Sequence, residues 1–213
     1  VTARAGVILS ALSADCAPIL FCDPQSRVVA SCHAGWKGAL GGVIESTIKA
    51  MCQQGAKAER IRAVIGPCIQ QASYEVGADY EATFAREDPE SRPFFIQAND
   101  LDKRMFDLPG YCQMRLKRAG IAESASTGHD TCADAAQFYS NRRAVKTGES
   151  DYGRLISCIM IRAYLLISPS WRGSLENRVA ICQEGVNCRR LLPSGAARHL
   201  PLQEGEILLR AYF

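Results

Sequence analysis

Three residues near the start of the sequence have side chains that can bind a metal or attack a substrate. Asp15 and Cys16 are adjacent, and sixteen residues separate Cys16 from His33. A thiolate and an imidazole can hold zinc or copper, and the same pair can act as a nucleophile and its general base. Asp15 could carry a proton or support a metal ligand, or it could occupy a turn. Plain packing of Cys16 and His33 in a core is the alternative interpretation.

The residues that follow His33 favour an anion site. Gly35 and Gly38 allow a backbone or a ligand to approach closely. A helix that begins after Gly38 would offer backbone N–H groups to an anion, and Lys37 adds a positive charge. We therefore expect an anion to bind beside the Cys16–His33 pair.

Strands and helices that alternate along the chain are predicted to position these residues. Apolar runs bounded by turn residues predict strands over 7–12, 19–22 and 27–33. Cys16 then lies at a strand-to-turn junction and His33 at the end of the next strand but one, and two such ends can be close in a sheet. Other predicted strands cover 61–65, the residues after 121, and 154–161.

Helical spacing of apolar residues predicts a helix over 40–51 and another from Glu75 to Arg86, followed by a loop over 85–93. Asp107 is the expected N-cap of a further helix that has Pro109 in its first turn and ends near Gly120. The alternation of strands and helices predicts an α/β or α+β fold.

Composition narrows the classes of function. The chain has 213 residues, 47% of them hydrophobic, which is enough for one core. Charges of both signs are interspersed, with a net charge of +3 and 8% aromatic residues, so a nucleic-acid partner is not expected. No apolar run reaches the length of a membrane span of about 18 residues. Ten cysteines without CxxC spacing favour buried thiols and a reducing cytoplasm.

The composition changes after residue 162. Residues 163–213 contain neither Lys nor Asp and show poor periodicity, although the preceding part uses both residue types freely. We therefore expect one domain over 1–162 and a C-terminal tail of unknown structure over 163–213.

Ordered blocks from about residue 1 to residue 161 resemble the YfiH family, whose members are also called multicopper polyphenol oxidases or laccase-domain proteins. The blocks are ADCAPILFCDP, VVASCHAGWKGALGGVIESTIKAM, IGPCIQQASYEVG, DLPGYCQMRLKRAGI, FYSNRR and DYGRLISCIMI. The resemblance implies a YfiH-like fold, a layered sandwich of mixed β-sheets with outer helices.

The resemblance also implies one metal, zinc or alternatively copper, that is held by one Cys and two His. Cys16 matches the family's ADC motif and His33 matches its HAGW motif. The second His of the family lies in a VHG-containing motif upstream of ADC, and no VHG occurs in this sequence. We therefore expect the domain to lack its N-terminal part, and His129 is a possible but less favoured substitute ligand.

The activity implied by the resemblance is zinc-dependent phosphorolysis of purine nucleosides such as adenosine, inosine and methylthioadenosine, together with adenosine deamination. Its partners would be a purine nucleoside and phosphate, in a monomer or homodimer. The resemblance implies catalytic roles for Asp15, Cys16 and His33. It implies that five other residues bind the substrate, namely Lys37, Gly38, Tyr139, Arg142 and Arg143. The alternative to substrate binding by the two arginines is that they are simply solvated on the protein surface.

Three other functions stay open. A copper polyphenol oxidase is disfavoured because a multicopper laccase needs many His ligands and the chain has three. A cysteine hydrolase would use Cys16 as nucleophile and His33 as base. An inactive fragment is the third alternative, because one ligand motif is missing.

Overall fold

The computed structural model describes residues 1–121 and 123–162, and the predicted tail over 163–213 lies outside the described residues. The described part is a mixed α/β fold, as predicted. Its strands are β1 Ile8–Ser13, β2 Ala17–Asp23, β3 Val28–Ala34, β4 Arg62–Ile65, β5 Glu75–Gly77, β6 Phe95–Gln97, β7 Lys103–Phe106, β8 Glu123–Ser126 and β9 Leu155–Met160. Its α-helices are α1 Trp36–Leu40, α2 Val43–Gln53, α3 Ala78–Glu87, α4 Leu108–Arg118 and α5 Asn141–Thr147.

The central sheet has the strand order β3-β2-β4-β8 and is covered on both faces. All seven residues of β2 are buried, which explains its nearly continuous apolar run. Ile19 and Phe21 of β2 join the core that contains residues of α2 and α4. Leu20 and Cys22 point the other way and pack with Ile159 of β9. The layers are therefore helices, the central sheet, and the antiparallel β1–β9 pair, which confirms the layered sandwich implied by the family resemblance.

A small second sheet of order β5-β7-β6 corrects one prediction. The helix expected from Glu75 begins at Ala78, because residues 75–77 pair with β7 instead. The loop expected over 85–93 is also largely structured, since α3 continues to Glu87 and Pro89–Phe94 forms a 3-10 helix. A tertiary strand partner thus outweighs the local helical pattern.

The helix after His33 also starts earlier than expected. It was predicted after Gly38, but α1 begins at Trp36 and Gly38 lies inside it. Gly42, with φ of +89°, separates α1 from α2 in a conformation that favours glycine. The predicted cap of α4 is confirmed, because the Asp107 side chain accepts a hydrogen bond from the Gly110 amide at 2.9 Å.

Two further features of the described residues bear on the sequence predictions. All eight described cysteines are free thiols. No helix in residues 1–121 and 123–162 is both long and apolar enough to cross a membrane.

Candidate functional site

The pairing of β2 with β3 brings Cys16 and His33 together. Ala17 pairs with Ala34 across the two strands, so Cys16 and Gly35 face each other just beyond the end of the ladder. A Cβ placed on Gly35 would lie 2.9 Å from Cys16 Sγ and 3.8 Å from His33 Nε2. The thiol and the imidazole nitrogen thus border the same small space, which a glycine leaves open.

A backbone contact orients the His33 ring. Nδ1 lies 2.7 Å from the Leu12 carbonyl oxygen of β1. Because a carbonyl can only accept, Nδ1 carries a hydrogen, and the tautomer that fits this contact has its lone pair on Nε2, the nitrogen that borders the space beside Cys16. A carbonyl that fixes the tautomer in this way is typical of metal-binding histidines.

Burial raises the pKa of the Cys16 thiol above its ordinary value, and the neighbouring Asp15 carboxylate raises that pKa further. Reactive catalytic cysteines have a lowered pKa, because nearby positive charge stabilises the thiolate. The surroundings of Cys16 therefore favour the neutral thiol unless a cation binds.

The described residues supply two ligands of a metal site but not a complete site. No group of three or more His, Cys, Asp or Glu side chains in that part of the chain could hold a metal ion. A catalytic zinc takes three protein ligands and keeps one position open. His129 does not complete the set, and its ring packs edge-on against Phe138, with centroids 5.6 Å apart. The pair therefore fits two ligand positions of such a metal, and the described chain does not form a third.

Asp15 is a buried anchor for the segment that carries the two arginines. Its carboxylate accepts hydrogen bonds from Thr131 Oγ1 at 2.7 Å, Ser140 Oγ at 2.9 Å and the Arg142 backbone N–H at 2.6 Å. Its φ of +90° lies in the left-handed region, which Asp tolerates better than most residues. These bonds tie the start of α5 to the start of β2.

The two arginines have different surroundings. Arg142 donates from Nη1 to the Glu75 carbonyl at 2.6 Å, and its Cζ lies 5.3 Å from the centre of the Tyr74 ring. Arg143 donates to the backbone carbonyls of Thr131 and Cys132 at 2.9 Å each and to that of Phe138. The Arg143 guanidinium is thus occupied by the backbone of the loop before α5.

The remaining predicted substrate residues lie on the surface of α1 and next to α5. Lys37 is exposed and holds its Nζ 5.4 Å from the centre of the Trp36 ring. Gly38 lies in the first turn of α1, whose N-cap makes no side-chain hydrogen bond. Tyr139 is 53% exposed, and its ring lies so close to Gly153 that a Cβ there would be 2.6 Å away. Phe138, which precedes Tyr139, is buried.

Sequence reasoning missed three aromatic residues beside the pair, Trp36, Tyr74 and Tyr80. Trp36 and Tyr80 are in ring contact, with centroids 4.3 Å apart. Burial raises the pKa of the Tyr74 and Tyr80 phenols, and the two phenols are close enough to influence each other's pKa. Only Trp36, which follows Gly35 directly, could have been noticed from the sequence, because Tyr74 and Tyr80 reach the site through β5 and α3.

Comparison with known proteins finds a matching family model and relatives named as enzymes that act on nucleosides. Residues 1–162 match the family model described as multi-copper polyphenol oxidoreductase laccase. A purine nucleoside phosphorylase of Rickettsia conorii is 33% identical over 162 residues, which are 76% of this chain and 67% of that protein. An adenosine deaminase of an unknown prokaryotic organism is 32% identical over 145 residues, 67% of this chain and 55% of that protein.

A solved structure shows the same architecture. The crystal structure of the YfiH protein of Bacillus licheniformis superposes with a TM-score of 0.64 at 28% identity, over 74% of this chain and 59% of that one. The resemblance to YfiH that the motifs predicted is therefore confirmed. The chain spans about two thirds or less of the length of these relatives.

Proposed function

The chain belongs to the family of multi-copper polyphenol oxidoreductase laccases, and from that membership we propose that it acts as a purine nucleoside phosphorylase, with inosine, adenosine and methylthioadenosine as candidate substrates. A purine nucleoside phosphorylase and an adenosine deaminase among its relatives support an enzyme of nucleoside chemistry. The observation that carries the proposal is the convergence of Cys16 Sγ and His33 Nε2 beside Gly35.

In phosphorolysis, a phosphate oxygen forms a bond to ribose C1′ while the bond from C1′ to the purine nitrogen breaks. The bonding electron pair stays with the purine, which then takes up a proton. A site for this reaction must hold an anion next to an aromatic base. Lys37 and Arg142 provide positive charge next to the aromatic residues, and we propose that they bind the phosphate. We assign Gly38 to the same anion site through its backbone N–H in the first turn of α1.

Two of the predicted site residues support the site rather than contact the substrate in our proposal. Asp15 accepts three hydrogen bonds and holds Arg142 in place, so it is a positioning residue. Arg143 stabilises the loop before α5 through three backbone carbonyls. For Tyr139, contact with the sugar or base stays a prediction.

We further propose that Cys16 and His33 are two ligands of a zinc ion, with copper as the alternative. The tautomer fixed by the Leu12 carbonyl supports this role for His33. A third ligand would come from outside the described residues, and a zinc ion would act as a Lewis acid once it is bound.

The named deaminase relative supports adenosine deamination as a second activity at the same place. The two other enzymatic alternatives have less support. A cysteine hydrolase needs a stabilised thiolate, whereas the surroundings of Cys16 raise the pKa of its thiol. A multicopper laccase needs more His than the three in the sequence.

The test is inosine phosphorolysis by the full chain and by two cysteine variants. Cys16→Ser should lower kcat/KM at least about a hundredfold, because loss of a group at the reacting centre commonly has an effect of that order. Cys52→Ser is the matched control, since Cys52 is exposed on α2 and makes no contribution to the site. Equal activity of wild type and Cys16→Ser would refute the proposed site. Inactivity of wild type and both variants would identify the chain as an inactive fragment.

A further inference from the structure

A row of three aromatic rings, which we call the aromatic wall, stands next to the Cys16–His33 pair. The wall consists of Trp36, Tyr80 and Tyr74, with the Trp36 and Tyr80 ring centroids 4.3 Å apart and the two tyrosine phenols close enough to influence each other's pKa. Two cations pack on the wall, with Lys37 Nζ over Trp36 at 5.4 Å and Arg142 Cζ over Tyr74 at 5.3 Å.

The wall is supported from behind by the core. Trp36 lies 6.2 Å from the Phe84 ring, and Tyr74 lies 5.7 Å from the Phe106 ring, measured between centroids. Phe84 and Phe106 are fully buried. The three rings of the wall, in contrast, are all partly exposed. A firm base and a partly exposed face are what a stacking surface for a flat ligand requires.

Three separate segments of the chain build the wall. Trp36 directly follows Gly35, where an added Cβ would lie 2.9 Å from Cys16 Sγ. Tyr74 precedes β5, and Tyr80 lies in the first turn of α3. The Arg142 backbone N–H donates to Asp15, the neighbour of Cys16, and the Arg142 guanidinium lies over Tyr74, so the other end of the wall is also tied to this region. The base of a nucleoside that stacks on the wall would thus place its C1′–N bond near the Cys16–His33 pair.

We infer that the aromatic wall is the base-binding subsite, on which the bicyclic ring of a purine nucleoside stacks, with Trp36 and Tyr80 as its main contacts. This inference rests on the proposed function for the identity of the ring. Stacking is strongest for large flat rings, so the wall selects purine over pyrimidine nucleosides. The hydroxyls of the tyrosines and the two cations lie where the polar edge of a base and an anion would be.

Fluorescence provides a direct test, because the chain has two tryptophans and one of them belongs to the wall. In a Trp171→Phe background, the emission of Trp36 is titrated with inosine and with uridine. Inosine should quench the emission along a saturable curve, and uridine should bind at least about tenfold more weakly, in line with base–aromatic stacking free energies.

A set of tyrosine variants locates the contact in the same background. Tyr80→Leu should weaken inosine binding about tenfold, as removal of a stacking ring does. Tyr80→Phe keeps the ring and should bind within about threefold of wild type by the same reasoning. Tyr152→Leu is the matched control, since Tyr152 also has an arginine over its ring, Arg154, with Cζ at 4.0 Å, but lies outside the wall.

The outcomes separate this inference from the proposed function. Turnover of inosine with no change in Trp36 emission and no effect of Tyr80→Leu would overturn the subsite and leave the phosphorylase proposal standing. Saturable purine binding at Trp36 without any phosphorolysis would support the subsite and refute the phosphorylase. Failure of every nucleoside to bind would overturn the subsite.

Discussion

At the scale of single residues, the site depends on how closely Gly35 approaches Cys16. The types and spacing of Cys16 and His33 were enough to single them out from the sequence. How close the two side chains come was not predictable, because this distance follows from the Ala17–Ala34 register of two paired strands. The Leu12 carbonyl that sets the His33 tautomer was equally hidden, since a backbone oxygen has no sequence pattern.

Gly35→Ala tests this close approach. The new Cβ would lie 2.9 Å from Cys16 Sγ, so the thiol must shift from its present position. We expect kcat/KM for inosine to fall about a hundredfold, the order of effect that a misplacement of 1 Å can have at a reacting centre. Because the displaced atom ends a short side chain, the melting temperature should change little.

Kinetics and thermal unfolding of the same preparation decide the result. A Gly35→Ala protein with wild-type kcat/KM would show that the position of the Cys16 thiol does not matter. A large drop in melting temperature together with lost activity would show that Gly35 serves the fold, which would also contradict the expectation.

At the scale of elements, the start of α5 connects the fold to the site. Ser140 caps α5 by accepting a hydrogen bond from the Arg143 amide at 3.1 Å, and its hydroxyl donates to Asp15. A cap alone could be predicted from the sequence, as it was for Asp107 at α4. The second contact of Ser140 could not, since it spans 125 residues of sequence. The misplaced start of α3 has the same cause, because β5 exists only through its pairing with the distant β7.

A pair of cap variants separates stability from function. Ser140→Ala and Asp107→Ala should each lower the free energy of unfolding by about 1 kcal/mol, the usual contribution of an N-cap side chain. Ser140→Ala should also lower kcat/KM for inosine about tenfold, because it frees the segment that carries Arg142, an effect of the order expected for a misplaced binding group. Asp107→Ala should leave kcat/KM unchanged.

Urea unfolding and steady-state kinetics on both variants provide the measurements. If both variants lose stability but neither loses activity, Ser140 acts only as a helix cap and the Asp15 anchor does not position the site. If Asp107→Ala loses activity as much as Ser140→Ala, the loss follows from stability alone.

At the scale of the whole molecule, the layers and the site come from different kinds of information. Apolar runs predicted most strands, and the family resemblance supplied the sandwich in which helices cover one face of the central sheet and the β1–β9 pair covers the other. The aromatic wall was not predictable in this way, because Trp36, Tyr74 and Tyr80 belong to three elements whose meeting is decided by tertiary packing. When a site is assembled from distant parts of the chain, only the residues that form a local motif can be recognised in the sequence.

We propose that this assembly transfers the ribosyl group of a purine nucleoside to phosphate. The most direct measurement incubates the full chain with inosine, with and without inorganic phosphate, and quantifies hypoxanthine, ribose and ribose 1-phosphate. We expect hypoxanthine and ribose 1-phosphate in equal amounts, formed only when phosphate is present. Release of hypoxanthine and free ribose without phosphate, or no turnover of inosine at all, would contradict it.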